Sequence, residues 1–301
     1  MAEISNPDKI LFPDGFTKAD LVGYYETMSG AMAPHVVERP LTLHRFPDGI
    51  QAKGFMQKNA PAYFPDSIER VEVPKRDGVT VYPVLKDGGP IPYLANLGTI
   101  TFHVWTSRRP HLDRPDRLIF DLDPPEGGWE DAGRAARLVR DWLGEIGLDA
   151  GLMTTGSKGY HVVVSITPDH GYDVVAPFAQ AGAALLAHRH PDLLTDEFRI
   201  AARRGRVFVD WLRNQQGQTG VAAWSVRARP GAPVATPIEW NELEGTPPDR
   251  FTIRDATERI GHDPIAVAAR HPNAIDDSIA VVSAMLADAG IVLEAFDRFR
   301  S

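Results

Sequence analysis

An α/β fold with central sheets flanked by helices is predicted by three features of the sequence. Short β-rich runs separated by Pro, Gly or Asp fill the first third, at 41–46, 69–73, 79–83 and 98–105. Strand-like and helix-like segments then alternate through the middle of the chain. Within that block a strand–helix–strand passage runs straight into a tight turn and a further strand, so a βαβ unit and a hairpin share one sheet.

Taken in order, the first helix is "FTKADLVGYYETMSGAMAPHV". It opens on a Thr17-x-x-Asp20 capping box and carries Leu21, Tyr24 and Tyr25 at helical spacing. The strand "RLIFDLD" (117–123) is a short apolar run closed by Pro124. The helix "WEDAGRAARLVRDWLGEIG" that follows repeats its apolar residues every three or four positions. Next come the strand "GLMTT", the turn "GSKG", the strand "YHVVVSI", the helix "VVAPFAQAGAALLAHRH" and the strand "RVFVDWL". The segment 231–250, rich in Pro and acids, reads as loop, and "DDSIAVVSAMLADAGIVLEAFDRF" as a helix packed on the body. This order suggests an α/β sandwich on an RRM-like palm. A single domain over 1–301 is expected, with an N-terminal subregion of about 1–110, a palm core of about 111–240 and a C-terminal helical segment 250–301. Trp105, Trp142, Trp211 and Trp224 are expected in the core or at its rim.

Composition narrows the function classes. A hydrophobic content of 43% and 24% charged residues describe a globular protein with a sizeable core. No run approaches the roughly 18 uninterrupted apolar residues of a membrane span, and "MAEISNPDKILFPDG" lacks a secretory apolar core, so the expectation is a cytoplasmic protein without a membrane partner. With no cysteine, disulfides and thiolate metal sites are excluded, and any metal must sit on oxygen or imidazole ligands. The net charge of −8 argues mildly against a nucleic-acid partner, but the charge is unevenly spread. Six arginines and one acid lie between Arg203 and Arg229.

The chemistry begins at Asp121 and Asp123. Alternate strand residues share a face, so these carboxylates project together at roughly 6–7 Å and repel unless a cation lies between them. A divalent metal or a solvated strand end both satisfy that pattern. Asp210 ends a second apolar run, either as a third ligand or as a carboxylate paired with Arg206 or Arg213. Three aspartates at the ends of neighbouring strands form a hard-oxygen cage of the kind that holds two Mg²⁺ or Mn²⁺ ions for phosphoryl transfer. Between the acids, "TTGSKGYHV" offers a tight turn with exposed N–H groups, the Ser157 hydroxyl, the Lys158 charge and His161 two residues into the next strand. It is a plausible triphosphate cradle, whereas His161 alone could be a core histidine.

"DLDP", "TTGSKGYHVVV" and "RRGRVFVDWLRN", at these separations, resemble the archaeo-eukaryotic primase superfamily. The chain is most similar to the polymerase module of bacterial ligase D and its stand-alone relatives in non-homologous end joining. The similarity runs from "NPDKILFP", "TKADLVGYY", "HRFPDG", "GFMQKN" and "TFHVW" to "SVRARP". It implies an archaeo-eukaryotic primase-like fold and a template-directed polymerase of DNA gaps and broken ends.

Residue by residue, the resemblance makes Asp121, Asp123 and Asp210 metal-binding catalytic acids, with Arg203 beside the catalytic centre. Ser157, Lys158, Gly159, His161, His103, Arg227, Arg45 and Phe55 fall in the nucleotide-binding set, Phe55 as a base contact. Asn6, Lys9 and Lys18 fall where a DNA 5′-phosphate is held. It also implies nucleoside triphosphates as substrate, Ku and an ATP-dependent DNA ligase as partners, and the bacterial nucleoid as location. The chain departs from the family at Met56, where a second aromatic is usual, and at His44 and Ile200. On pattern alone Lys9 and Lys18 would be ordinary exposed lysines, and His103 and Phe55 core residues. A non-catalytic DNA-end bridging protein and a metal-dependent nuclease are the competing readings.

Overall fold

The computed structural model describes residues 3–75 and 78–293. Its N-terminal part comprises helix α1 (Lys18–Val36), strands β1 (Leu41–Arg45), β2 (Phe55–Gln57), β3 (Ile68–Lys75) and β4 (Gly78–Leu85), helix α2 (Ile91–Asn96), and strands β5 (Thr99–Val104), β6 (Ser107–Arg108) and β7 (His111–Pro115). The central part runs β8 (Arg117–Asp123), α3 (Trp129–Glu145), β9 (Gly151–Thr154), β10 (Tyr160–Ser165), α4 (Tyr172–Arg189), β11 (Leu194–Thr195) and β12 (Val207–Asp210). Strands β13 (Gly220–Val221) and β14 (Pro237–Ile238) and helices α5 (Pro264–Ala268) and α6 (Asp276–Ala289) follow.

The larger sheet has the order β11-β12-β8-β10-β9-β14. Strand β10 lies antiparallel between β8 and β9, which are therefore parallel to each other and joined through α3. Strand β8 in turn lies antiparallel between β10 and β12, which are joined through α4. Two split βαβ units thus interleave, the RRM-like topology expected from the sequence. The segment expected to be all loop contributes β14, which pairs with β9. Strand β12 stops at Asp210 because the Asp210 carboxylate accepts the Leu212 N–H at 2.9 Å and turns the chain into a 3-10 turn at Leu212–Asn214. Helix α6 ends at Gly290, which takes the left-handed conformation; the end of the expected C-terminal helix, 294–299, lies outside the described residues.

Alternation along β8 and β10 divides the molecule into two cores. Leu118, Phe120, Leu122, Tyr160, Val162 and Val164 pack with α3 and α4, where Trp142 meets Phe120 edge to face at 5.9 Å. Ile119 and Val163 face the other way, into a core shared with α1 and the sheet β13-β5-β1-β2. All four tryptophans named from the sequence are buried. On α1, the Tyr24 hydroxyl donates to the Trp224 carbonyl (2.9 Å), and the Tyr25 hydroxyl donates to the Ile100 carbonyl (2.6 Å) while accepting the Val226 N–H (2.9 Å). These bonds fix the strand-like segment that delivers Arg227. Among the described residues no helix is long and apolar enough to cross a membrane.

Candidate active site

Strand register assembles the acids. Asp210 on β12 is directly opposite Asp121 on β8, which is directly opposite His161 on β10, so three groups form one row across the sheet. Asp123 adds a fourth position on the same face, two residues along β8. Asp121, Asp123 and Asp210 each offer an oxygen, and these oxygens all lie within 4.8 Å of one another. Among the described residues Asp123 makes no hydrogen bond; burial, then the charges of Asp121 and Asp210, push its carboxyl up to about 7. Burial also raises Asp210, with Asp121 adding to the effect and Arg213 opposing it. For Asp121 burial acts upward too, but His161 and Arg213 outweigh it and hold the carboxyl well below the usual range. Three crowded carboxylates, one of them without any protein partner, form a donor set suited to hard divalent cations.

The turn between β9 and β10 closes the same cleft, a space of about 290 Å³ that also takes in His103, Met56 and Arg227. The Thr155 hydroxyl donates to the Gly159 carbonyl at 2.8 Å and tightens the loop. Gly156 has a φ of +62°, and a Cβ there would sit 2.7 Å from the Arg227 side chain. Arg227 donates to the Thr155 carbonyl at 2.8 Å, and Arg229 to the Ser157 hydroxyl at 2.7 Å, so two guanidiniums are fastened to the turn. Lys158 is exposed and paired with Glu126 at 2.6 Å, a surface ion pair worth little and easily exchanged for an incoming phosphate. His161 Nε2 lies 3.4 Å from Asp121, while its buried Nδ1 has no partner. Its neighbour is a carboxylate rather than the backbone. Burial and then the Arg227 charge push His103 down to about 3, which leaves it a neutral imidazole at the cleft wall.

The remaining sequence-named residues separate into two groups. Arg203 stands over the Phe208 ring at 4.0 Å, and Phe208 is the register partner of Asp123, so this guanidinium flanks the acids. Arg45 and Phe55 instead pair with each other: they are register partners, and the guanidinium lies 5.3 Å from the ring centroid. Arg45 is further committed to Gln57 (2.6 Å) and to the Leu97 carbonyl (3.1 Å). On β2 it is Met56 that lines the acid cleft; Phe55, one position away, points to the opposite face, half exposed. The base-contact expectation placed on Phe55 thus finds the neighbouring side chain at the cleft. Asn6 and Lys9 border an open hollow formed by residues 3–9. The backbone N–H groups at the start of α1 are already paired. The Lys18 and Ala19 amides donate to the Lys9 and Pro7 carbonyls (2.8 and 2.9 Å), and the Asp20 amide to Thr17. The Lys18 ammonium, buried, donates to the Ser5 carbonyl and hydroxyl at 2.7 Å each, and Lys9 pairs with exposed Asp48 at 2.6 Å.

Sequence reasoning missed Arg213 as a bridge and Asn214 altogether. Arg213 Nε lies 3.1 Å from Asp121 and its terminal nitrogen 3.0 Å from Asp210, tying two of the three acids together. Asn214 is fully buried; its amide accepts the Ile119 N–H (2.8 Å) and donates to the Ile119 carbonyl (2.7 Å), so it extends the pairing of β8 past the end of β12. The "DWLRN" signal was visible, but partners more than ninety positions away were not. Arg213→Gln is expected to lower stability in chelator by about 2–3 kcal/mol, because two buried carboxylates lose their counter-charge while one-third exposure of Arg213 softens the loss. Added Mn²⁺ should raise the melting temperature of this variant more than that of wild type. Equal Mn²⁺ responses would show that the guanidinium and the cation do not share the same carboxylates.

Comparison with known proteins gives a consistent picture. The family profile described as "LigD, primase-polymerase domain" matches residues 17–265. A Pseudomonas aeruginosa protein named multifunctional non-homologous end joining protein LigD is 34% identical over 272 residues, which cover 87% of this chain and 32% of that protein. The Mycobacterium tuberculosis protein named multifunctional non-homologous end joining DNA repair protein LigD is 32% identical over 278 residues, 86% of this chain and 36% of the relative. The chain therefore spans about a third of the length of these curated relatives. Among solved structures, the polymerase domain of Mycobacterium tuberculosis ligase D in complex with DNA superposes with a TM-score of 0.84 at 30% identity, covering 91% of this chain and 99% of that one. With the acid row, the phosphate-turn geometry and this likeness in both sequence and structure, the chain belongs to the LigD primase-polymerase domain family.

Proposed function

We propose that the chain is a template-directed nucleotidyltransferase that fills gaps or extends ends in DNA break repair by non-homologous end joining. The observation that carries this reading is the convergence of an acid triad and a guanidinium-backed phosphate turn on one cleft. Asp121, Asp123 and Asp210 would hold two Mg²⁺ or Mn²⁺ ions, which when bound supply Lewis-acid activation of a primer hydroxyl and charge neutralisation at the leaving pyrophosphate. The protein's own part is binding and orientation. Ser157, Lys158, the N–H groups around Gly159, and Arg227 and Arg229 grip the triphosphate; the neutral ring of His103, together with the His161 ring, offers hydrogen bonds at the cleft wall. Arg203 supports the acids from beyond Phe208, while Arg45 and Phe55 brace β1 against β2 beside Met56. Residues 1–301 act as one catalytic domain on this reading, and Ku and a separate ATP-dependent DNA ligase at the nucleoid would complete the joining reaction. A relative solved with DNA supports nucleic acid as the partner.

The test is extension of a gapped duplex with a 5′-phosphorylated downstream strand, comparing ribonucleotides with deoxyribonucleotides, with and without Mn²⁺. Metal-dependent extension is expected. Tight binding of the gap without extension would instead make this an end-bridging protein, and shortening of the primer a nuclease.

The N-terminal hollow gives a separate expectation. Because the helix amides are already paired, Asn6, Lys9 and Lys18 must carry any 5′-phosphate contact themselves. Lys9 has only to leave the exposed Asp48, a loss of at most about 1 kcal/mol, whereas a charge-assisted phosphate contact returns about 1.5–3. The Lys9→Ala/Lys18→Ala protein should therefore bind the phosphorylated gap about 10-fold more weakly at fixed salt, and the unphosphorylated gap unchanged. An equal loss on both gaps would move the phosphate site elsewhere.

A further inference from the structure

The sheet face that carries the acids ends, at the opposite end of β8, in a second polar cluster. Arg117 begins β8 and is the register partner of Ser165 on β10; the buried Ile119–Val163 pair separates them from Asp121 and His161. At a strand rise of about 3.3 Å, Arg117 lies roughly 13 Å from Asp121. Arg39, following α1, Arg108 on β6, and α5 enclose this end as a cleft of about 300 Å³.

Its charges do not balance. Arg39, Arg108 and Arg117 meet two carboxylates, Asp116 and Asp263. Asp263 is already filled: it accepts from Trp224 Nε1 (2.9 Å) and the Ala266 N–H (2.9 Å), and binds His35 Nε2 (2.7 Å). Burial lowers the His35 pKa, so that ring adds no charge near neutrality. Asp116 accepts from Arg39 (2.8 Å) and Arg108 (2.7 Å), and Arg108 spends its other nitrogens on the Val37 and Pro34 carbonyls, both at 2.6 Å. Arg117 is left over. Its Nε is 3.8 Å from the nearest Asp116 oxygen, its side chain is only 11% exposed, and among the described residues it makes no hydrogen bond. The buried Nε of Arg39 has no acceptor, and the buried Ser165 lines the same cleft. A mostly buried guanidinium without an acceptor of its own, beside the buried and unpaired Nε of Arg39, favours an added acceptor.

We propose that this cleft is a binding site for a small oxyanion of the phosphate class, held by the Arg117 guanidinium and the Ser165 hydroxyl in the field of Arg39 and Arg108. The guanidinium fork matches two oxygens of such a group. The occupant would tie Arg39, from the N-terminal part, to Arg117 on the palm strand that presents the acids.

The experiment is calorimetric titration of the full chain with inorganic phosphate at constant ionic strength, with a nucleoside monophosphate as a second arm to tell a free ion from an esterified one. Wild type is compared with Arg117→Gln, Ser165→Ala and Lys158→Ala/Arg229→Ala, the last removing donors of the acid cleft. One site should survive in Lys158→Ala/Arg229→Ala and weaken at least ~10-fold in Arg117→Gln. Undiminished phosphate binding by Arg117→Gln overturns the proposal. Should that variant not fold, wild-type crystals soaked in tungstate decide: an anomalous peak within hydrogen-bond reach of Arg117 is expected, and its absence refutes the site.

Discussion

Asp123→Asn should slow nucleotide addition at least ~10³-fold while leaving the fold as stable as wild type or more so. Among the described residues the carboxylate has no hydrogen bond or ion pair of its own, and burial with the charges of Asp121 and Asp210 outweighs the pull of Arg213 and Arg203, so its charge does not favour the fold. Burial and two neighbouring carboxylates raise its pKa to about 7. A carboxyl whose folded pKa exceeds its unfolded value opposes folding as pH rises through the ordinary carboxylate range toward 7, and Asn removes that opposition. The amide keeps the volume but discards the charge that a divalent ion needs, and losing one preorganised group at a reacting centre typically costs ~10²–10³ in rate. Because the three acids act as a set, the loss should reach the top of that range or pass it. Single-turnover extension of a gapped primer, paired with melting curves in chelator, checks both halves. Extension within ~10-fold of wild type would remove Asp123 from the chemistry; a sharp fall in melting temperature would make it structural.

Much of this site was legible because its parts are local. The run "RLIFDLD" between Asp116 and Pro124 is strand β8 end to end, since apolar residues on both faces can be satisfied only between two apolar layers, here the α3–α4 helices on one side and α1 with the smaller sheet on the other. The "GSKG" turn and the alternation of strands with helices fixed the palm. What stayed hidden depends on distant partners. Strands β2, β11, β13 and β14 have only two or three residues each and exist because a neighbouring strand offers a free edge. The amides at the start of α1 look free in any sequence, and only the path of residues 5–9 shows that carbonyls have taken them. Likewise Phe55 and Met56 are equally eligible by composition. Which one meets the cleft is decided by the register of β2 against β1, and a shift of one residue would exchange them.

The same dependence on close approach makes Gly159→Ala the more damaging of two small changes. Gly159 joins the phosphate turn to β10, and a Cβ placed there would lie 1.8 Å from the Leu122 carbonyl oxygen and 3.1 Å from the Pro124 ring. Leu122 sits between Asp121 and Asp123, so the methyl group would press on the peptide that spaces the two acids. Backbone cannot step aside as a flexible side chain can, and overpacking of this kind costs about 1–3 kcal/mol, here at the upper end. Either β8 shifts, carrying Asp123, or the turn lifts away, carrying Ser157 and Lys158. A displacement near 1 Å in a reacting constellation can cost ~10²-fold in rate, and both routes produce one. Gly144→Ala serves as the control: Gly144 lies in α3, a Cβ there meets nothing within 4 Å, and Ala in a helix is worth about 0.5–1 kcal/mol over Gly. The expected result is extension reduced ~10²-fold with a lower melting temperature for Gly159→Ala, against unchanged extension and an equal or higher melting temperature for Gly144→Ala. If Gly159→Ala extends primers within ~3-fold of wild type, the turn is not what holds the acid strand in place, and Asn214 with Arg213 must position it alone.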